Sequence, residues 1–192
     1  VLETKGNKIK VLVSLDRVKD ASSIKVQIYE NVAVDAVLYD YETELNLAVI
    51  TINVTDVPVK FFDKISVASL GESFSLSAGS PVIALGNPNG YTSSIDIGIV
   101  TSKGNTVSIT DNEVDIFHTN MTFNSDSDGV IVNTRGEIVG LITRTIKEGQ
   151  SKGLSTVLGI SKIKSYIEKM LSQSSRVYCG VIAENLSQAA MT

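Results

Sequence analysis

Short runs rich in β-branched residues recur along most of this chain, and turn-forming residues separate them. Alternation of apolar and polar positions within such runs is typical of strands that bury one face. Short strands at this spacing predict an all-β barrel or sandwich, because a parallel sheet would need a helix between successive strands. The predicted strands span residues 9–13, 23–29, 32–39, 47–54, 81–85, 95–101, 113–119, 129–133 and 138–144.

One helix is predicted near the end of the chain, over residues 161–173. Apolar positions in this segment recur every three or four residues, which gives a helix one buried face. Ser161 is the expected N-cap, because a serine hydroxyl can accept a hydrogen bond from a free N–H of the first turn. The apolar positions are Ile163, Tyr166, Ile167, Met170 and Leu171.

Composition excludes several classes of function. A net charge of −4 and a pI near 5.0 argue against nucleic acid as a partner. No apolar run approaches the roughly 18 residues of a membrane-spanning helix. The single cysteine, Cys179, cannot form an internal disulfide and favours a reducing intracellular compartment, although the sequence does not fix the localisation.

A polar turn around Ser127 lies between an extended approach and a strand hairpin. The stretch 119–133 reads TNMTFNSDSDGVIVN and leads into GEIVGLIT. This frame suits a nucleophilic serine, yet Asp126 and Asp128 stand where a serine hydrolase needs small residues and free backbone N–H groups. The frame therefore indicates a hydrolase-like fold, and the residues of the turn argue against hydrolysis.

Four segments resemble, in the same order, those of the HtrA/Deg (Do-like) family of trypsin-fold serine proteases. Residues 84–102, ALGNPNGYTSSIDIGIVTS, resemble the family's Gly-Asn-Pro-x-Gly strand-turn-strand. Residues 39–52, YDYETELNLAVITI, resemble the segment that holds its triad aspartate. Residues 119–143 resemble the nucleophile loop and its hairpin, and 153–164 resemble the strand and helix start that close the second barrel.

The resemblance implies an all-β fold of two antiparallel, trypsin-like β-barrels with a C-terminal helix. The first barrel is expected over residues 1–69, without its usual opening strand, and the second barrel with the helix over 70–171. Residues 172–192 are expected to be a linker and the start of a PDZ-like segment, because 176–182, RVYCGVI, resembles the family's linker into its PDZ domain. Active sites of this fold lie in the cleft between the barrels, so both halves should contribute residues.

The resemblance also places the three triad positions. In the family the histidine follows an apolar strand, and the matching run, VLVSLDRV, has Asp16 at that position. Asn46 stands where the aspartate precedes a Leu-Ala-Val strand. Ser127 is the best match for the nucleophile, and Ser125 is the alternative. The expected but degenerate oxyanion loop comprises Ser125, Asp126, Asp128 and Gly129.

These residues predict a catalytically inactive homologue of a serine endopeptidase. The carboxylate of Asp16 is too weak a base to take a proton from a serine hydroxyl near neutral pH. Asn46 carries no charge that could stabilise an imidazolium. Asp126 and Asp128 would put negative charge beside a developing oxyanion, which raises the barrier to its formation.

Two further interpretations concern the remaining polar residues. The only histidine, His118, lies on the strand that enters the loop, where a structural or surface role is expected. Asp16, Asp126 and Asp128 could in principle hold a hard cation through their oxygens. Carboxylates in exposed turns are common, however, so the sequence predicts no metal site and no cofactor.

The leading hypothesis is a non-catalytic pseudoprotease that serves as a protein- or peptide-binding scaffold or regulator. The resemblance implies an extended peptide bound along a strand edge, which requires backbone groups and not a triad. It also implies an active HtrA/Deg paralogue as a partner, within a mixed oligomer. The alternatives are an active serine endopeptidase with a rearranged site, using Ser127 or Ser125 with Asp16 or His118 as the base, and a purely structural spacer domain.

Overall fold

The computed structural model describes residues 1–29, 32–91, 93–109, 112–124, 126–142 and 155–173. Five antiparallel strands form a first sheet, in the order β1-β2-β5-β4-β3. Among the described strands, β1 and β3 each have one neighbour, so the sheet is open along both edges. Its strands are β1 (Glu3–Lys5), β2 (Lys8–Ser14), β3 (Ile24–Tyr29), β4 (Val32–Glu42) and β5 (Leu47–Asn53).

The first sheet buries one face because alternate residues of each strand point to the same side. Ile9 on β2, Val34 on β4 and Ile50 on β5 all belong to one apolar cluster. Phe61, from a short 3₁₀ segment that follows β5, packs into the same cluster. The alternation in the sequence therefore becomes the core of the first unit.

Six antiparallel strands of the second half close into a barrel, in the order β10-β11-β8-β7-β6-β9. Its interior is filled by side chains that are fully buried, among them Val82, Val100, Ile131 and Val157. The strands are β6 (Pro81–Asn87), β7 (Ser94–Ile109), β8 (Asn112–Thr119), β9 (Asp128–Val132), β10 (Ile138–Ile142) and β11 (Ser155–Gly159).

Helix α1 (Ile160–Ser172) follows β11 directly and packs where the two units meet. Ile163 and Ile167 on its buried face belong to one cluster with Val49 of the first sheet and Leu158 of the barrel. The helix therefore contributes to both units at once, and burial of its apolar face holds them together.

Lys10 ties the end of this helix to the first sheet. Its Nζ donates a 2.8 Å hydrogen bond to the Leu171 carbonyl, forms a 3.0 Å ion pair with Glu3, and lies 4.4 Å from the centre of the Tyr39 ring. Burial alone would lower the pKa of Lys10, but the hydrogen bonds with Glu3 and Tyr39 outweigh it, so the pKa is raised. The ammonium stays charged at a helix C-terminus, where the helix dipole favours a cation.

The predicted all-β architecture with a C-terminal helix is confirmed, and the nine predicted strands are present. Eight of them have bounds within about three residues of the prediction, whereas β7 continues past the predicted end at 101 to Ile109. Ser161 as N-cap is wrong: the helix starts one residue earlier, with Gly159 at the cap position. The Ser161 hydroxyl instead accepts from the Ser73 N–H at 2.8 Å and donates to Glu72 at 2.8 Å. A tertiary contact has therefore taken the side chain that sequence assigned to the cap.

The segment after the first sheet, near the predicted boundary at residues 69 and 70, bonds to β10 of the barrel. Ile138 of β10 donates to the Ser69 carbonyl and accepts from the Gly71 N–H, both at 2.8 Å. Of the expected linker and PDZ-like segment 172–192, all but the first two residues, including Cys179, lie outside the described residues. No helix in the described part of the chain is long and apolar enough to cross a membrane.

Candidate functional site

The structure brings Asp16 and Asn46 together, as expected of two triad positions. Asp16 lies on a 3₁₀ turn, Leu15–Arg17, that follows β2, and Asn46 immediately precedes β5. Asn46 is buried, and its backbone adopts the left-handed conformation with φ of 53°. Its side-chain oxygen accepts from the Asp16 N–H at 2.9 Å, and its carbonyl accepts from the Leu15 N–H at 3.0 Å. Asn46 therefore holds the backbone of this turn through both of its oxygens.

Asp128 is the carboxylate that links the two units at the cleft. The Ser14 hydroxyl donates to its Oδ2 at 2.9 Å, and Arg17 Nε lies 3.7 Å from the same oxygen. Ser14 ends β2 and Arg17 ends the turn that carries Asp16, whereas Asp128 begins β9 of the barrel. The Asp128 side chain therefore connects the barrel to the first unit.

Ser127 is fully buried, with 0% of its surface exposed. Its hydroxyl donates to the Pro88 carbonyl at 2.5 Å and also lies 3.2 Å from the Asn124 side-chain oxygen. The same hydroxyl oxygen accepts from the Asn124 N–H at 2.8 Å. The hydroxyl is therefore held between its own loop and the turn that contains Pro88.

The backbone N–H of Ser127 is engaged as well. It donates to the Asn124 carbonyl at 3.2 Å, closing a tight turn. An oxyanion hole of the trypsin type uses the N–H of the nucleophilic serine as one of two donors aimed at the developing charge. In this structure the Ser127 N–H already donates to the Asn124 carbonyl. The alternative nucleophile, Ser125, lies outside the described residues.

The Gly-Asn-Pro-x-Gly turn, residues 86–90, is hydrogen-bonded to the serine loop. β6 ends at Asn87, whose side-chain amide donates to the Asp126 carbonyl at 3.1 Å. Asn124 Nδ2 donates to the Asn89 carbonyl at 3.4 Å. Together with the bond from Ser127 to Pro88, these contacts join the two loops through side chains and carbonyls. The motif that carried the sequence resemblance therefore has a structural role here.

A cleft of about 730 Å³ lies between the units, and its lining includes the neighbours of Asp16 and Ser127 but none of the three triad positions. Ser14, Arg17 and Asp128 line it on one side, and strand β3 lines it on the other. A smaller apolar cavity of about 150 Å³ lies behind Asp128 and is walled by leucine, valine and isoleucine side chains. The cleft has room for an extended peptide, and the cavity has room for little more than one apolar side chain.

His118 lies on the barrel wall, as expected of a structural residue. It belongs to β8 and pairs with Thr156 on β11, and its Nδ1 is 3.1 Å from the Thr156 hydroxyl. Among the described residues, no group of three or more histidine, cysteine, aspartate or glutamate side chains is placed to hold a metal ion. Asp16, Asp126 and Asp128 do not form such a group.

Sequence reasoning did not identify Ser14, Arg17, Pro88 and Asn124, which make the contacts that define this site. For Asn124 a signal was available, because an asparagine three residues before a serine in a polar turn often bonds to backbone N–H groups. The roles of Ser14 and Arg17 depend on the approach of the two units, which no local pattern encodes.

Because the Ser127 hydroxyl has a structural role, Ser127→Ala should destabilise the fold. The substitution leaves the Pro88 carbonyl and the Asn124 N–H without a partner, which costs about 1–3 kcal/mol of unfolding free energy. Urea unfolding followed by circular dichroism measures it. The matched control is Ser165→Ala, which removes an exposed hydroxyl on α1 and should change stability by less than about 0.5 kcal/mol. Equal effects of the two variants would contradict the structural role.

Comparison with known proteins gives a matching family profile, similar curated proteins and similar solved structures. The family profile described as "Trypsin-like peptidase domain" matches residues 4–141. The serine protease Do-like HtrA of Bacillus subtilis (strain 168) is 29% identical over 197 residues, which cover 98% of this chain and 42% of that protein. A probable periplasmic serine endoprotease, DegP-like, of Chlamydia trachomatis serovar D is 27% identical over 180 residues, covering 91% of this chain and 34% of that protein.

Among solved structures, an HtrA-type protease, AlgW, with a decapeptide superposes with a TM-score of 0.73 and 22% sequence identity. The match covers 99% of this chain and 56% of that one. The resemblance to HtrA/Deg proteins and the trypsin-like fold are therefore confirmed. This chain spans less than half the length of the two curated relatives.

Proposed function

The chain belongs to the trypsin-like peptidase domain family. Within that family, we propose that it is a pseudoprotease. In this role it is a non-catalytic scaffold or regulator that binds protein segments. The observation that carries the proposal is the position of Ser127, which is fully buried and donates its hydroxyl to the Pro88 carbonyl.

Three separate losses support an inert site. The histidine position holds Asp16, whose carboxylate cannot act as a general base for a serine hydroxyl near neutral pH. The aspartate position holds Asn46, which is engaged in fixing the turn that carries Asp16. The nucleophile position holds a serine whose N–H bonds to Asn124 in its own loop and whose hydroxyl donates to the Pro88 carbonyl of the neighbouring turn. Each loss costs orders of magnitude in turnover wherever a triad acts as a unit.

Peptide binding does not require any of these groups. An extended segment binds along a strand edge through its main chain, and side-chain pockets add selectivity. The open cleft of about 730 Å³ supports such a role for this chain. An active HtrA/Deg paralogue is the partner that the family relationship favours, because related domains that share an assembly surface can form mixed oligomers.

The first test is cleavage of unfolded casein by the purified chain, with trypsin as the positive control. We expect no cleavage, and no labelling by a fluorophosphonate, because no activated hydroxyl is presented. Stoichiometric labelling that disappears in Ser127→Ala would instead identify an active endopeptidase with a rearranged site, and the proposal would be wrong.

A further inference from the structure

A small pocket lies against strands β7, β8 and β11 of the barrel, where a 3₁₀ turn, Ser73–Ser75, borders it. It shares no lining residue with the cleft between the units. Its volume is about 140 Å³, close to that of an engineered apolar cavity that binds benzene, so one small ring fits. The lining of this Asp115 pocket includes Ser73, Phe74, Lys103, Asp115, Ile116 and Phe117.

The two carboxylate oxygens of Asp115 have different surroundings. Oδ1 lies 3.2 Å from Lys162 Nζ, on helix α1. Oδ2 is buried and has no hydrogen-bond partner among the described residues. A buried polar atom without a partner is unfavourable, because it has given up its hydrogen bonds to water and received none in exchange. A ligand that donates a hydrogen bond to Oδ2 would therefore gain more here than at an exposed carboxylate.

The charges at the pocket favour a neutral ligand. Lys103 lines it together with Asp115, and Lys103 Nζ donates to the Phe74 carbonyl at 3.2 Å. A cationic ligand would meet two ammonium groups, those of Lys103 and Lys162, and an anionic ligand would lie beside the Asp115 carboxylate. A hydroxyl both donates and accepts, so it suits a carboxylate and an ammonium at once. The rest of the lining includes Ile116, which is apolar and suits the body of a ring.

We propose that the Asp115 pocket binds a small neutral phenol. The ring would lie against Ile116 and Phe117. The phenolic O–H would donate to Asp115 Oδ2, and its oxygen would accept from the Lys103 ammonium. The pocket uses no residue of the serine loop or of the triad positions, so this inference is independent of whether the chain cleaves or binds peptides.

The first test is an NMR titration of the isotope-labelled chain with phenol. We expect the amide signals of Ile116, Phe117 and Gly159 to shift and to saturate, with a Kd of about 1 mM for so small a ligand. Shifts confined to Val130 and Leu141 would place phenol in the apolar cavity behind Asp128 and overturn the proposal. A titration that does not saturate would overturn it as well.

Two further ligands test the chemistry of the pocket. Fluorobenzene is nearly the size of phenol but has no donor, so it should bind at least about tenfold more weakly. Benzylammonium has donors but carries a positive charge, and the ammonium groups of Lys103 and Lys162 should weaken its binding by a similar factor. Binding of either ligand as tight as that of phenol would overturn the proposal, because a neutral hydroxyl would then not be what the pocket selects.

Asp115→Asn tests the acceptor. It keeps the size of the side chain but replaces one carboxylate oxygen with an NH₂ group, so phenol should bind about tenfold more weakly. The matched control is Asp35→Asn on β4, where the side chain is 81% exposed, and it should bind phenol normally.

Lys103→Met is a second variant, at an exposed residue, and keeps the test decisive if Asp115→Asn does not fold. It removes the ammonium that would donate to the phenol oxygen, so binding should weaken about threefold. Thermal unfolding shows which variants are folded. Normal phenol binding by the folded pocket variants would overturn the proposal.

Discussion

A variant with a rebuilt site should cleave unfolded casein where the native chain does not. The substitutions are Asp16→His, Asn46→Asp, Ser125→Gly, Asp126→Asn and Asp128→Gly. They introduce the triad histidine and aspartate that the resemblance implies and replace the residues beside Ser127 with small or uncharged ones. Removal of a triad costs about a millionfold in turnover where it has been measured. Recovery of even part of that factor should raise cleavage by at least about a thousandfold over the native chain.

The reason for expecting recovery is that the backbone segments that carry positions 16 and 46 already meet, and that the three loop substitutions remove the side chains flanking Ser127. The turn after β2 and the residue before β5 meet through the bond from the Asp16 N–H to Asn46, so an introduced imidazole and carboxylate would be neighbours. Asp128→Gly also removes the side chain that contacts Ser14 and Arg17. The matched control is the same variant with Ser127→Ala, which should be inactive. A folded rebuilt variant without activity would show that more than these five side chains keeps the site inert.

Gly129→Ala should be among the most destabilising single changes in the barrel. Gly129 has φ of 144°, a backbone conformation that side chains rarely adopt, and a Cβ built there would lie 2.2 Å from the Leu85 carbonyl oxygen. The strand partner cannot yield, because Gly129 is paired with Gly86 on β6 and with Ile142 on β10. We expect a loss of about 3 kcal/mol or more, with a fall in Tm of about 10 °C.

The matched control separates backbone strain from collision. Gly136 also has positive φ, 76°, but no atom lies within 4 Å of a Cβ built there. Gly136→Ala should therefore cost only the strain of the left-handed region, about 1 kcal/mol. Differential scanning calorimetry of both variants gives the comparison. Similar losses of stability in the two variants would show that backbone strain, and not the close approach of β6, determines the cost of Gly129→Ala.

Several features of the fold could be predicted from local patterns. The β-branched content of KIKVLVS and LAVITIN predicts strands, and both lie inside the first sheet. LAVITIN is buried on both faces, which its continuous apolar run is consistent with. The helix stripe that contains Ile163 and Ile167 predicts one buried face, and that face is buried. The limits of such reasoning show at Ser161, where a good N-cap residue is used instead to hold Glu72 and Ser73.

The candidate site was predicted in part. Sequence order assigned the triad positions to Asp16, Asn46 and Ser127, which stays a prediction, and the structure places Asp16 and Asn46 in contact. Sequence order did not show that the Ser127 hydroxyl is buried. That burial depends on contact with the Pro88 turn, which is 39 residues away in the sequence. Nor did sequence order show that Asp128 contacts Ser14 across 114 residues of chain.

The sequence by itself determined the alternation of buried and exposed positions, the order of the strands along the chain and the residue types available at the candidate site. These are properties of residue type and of neighbours a few positions apart, which local sterics and hydrophobic periodicity fix. The tertiary structure decided the placement of the serine loop and the packing of α1 against both units. Those features arise from contacts between distant segments, whose partners are set by packing of the whole chain and not by any local pattern.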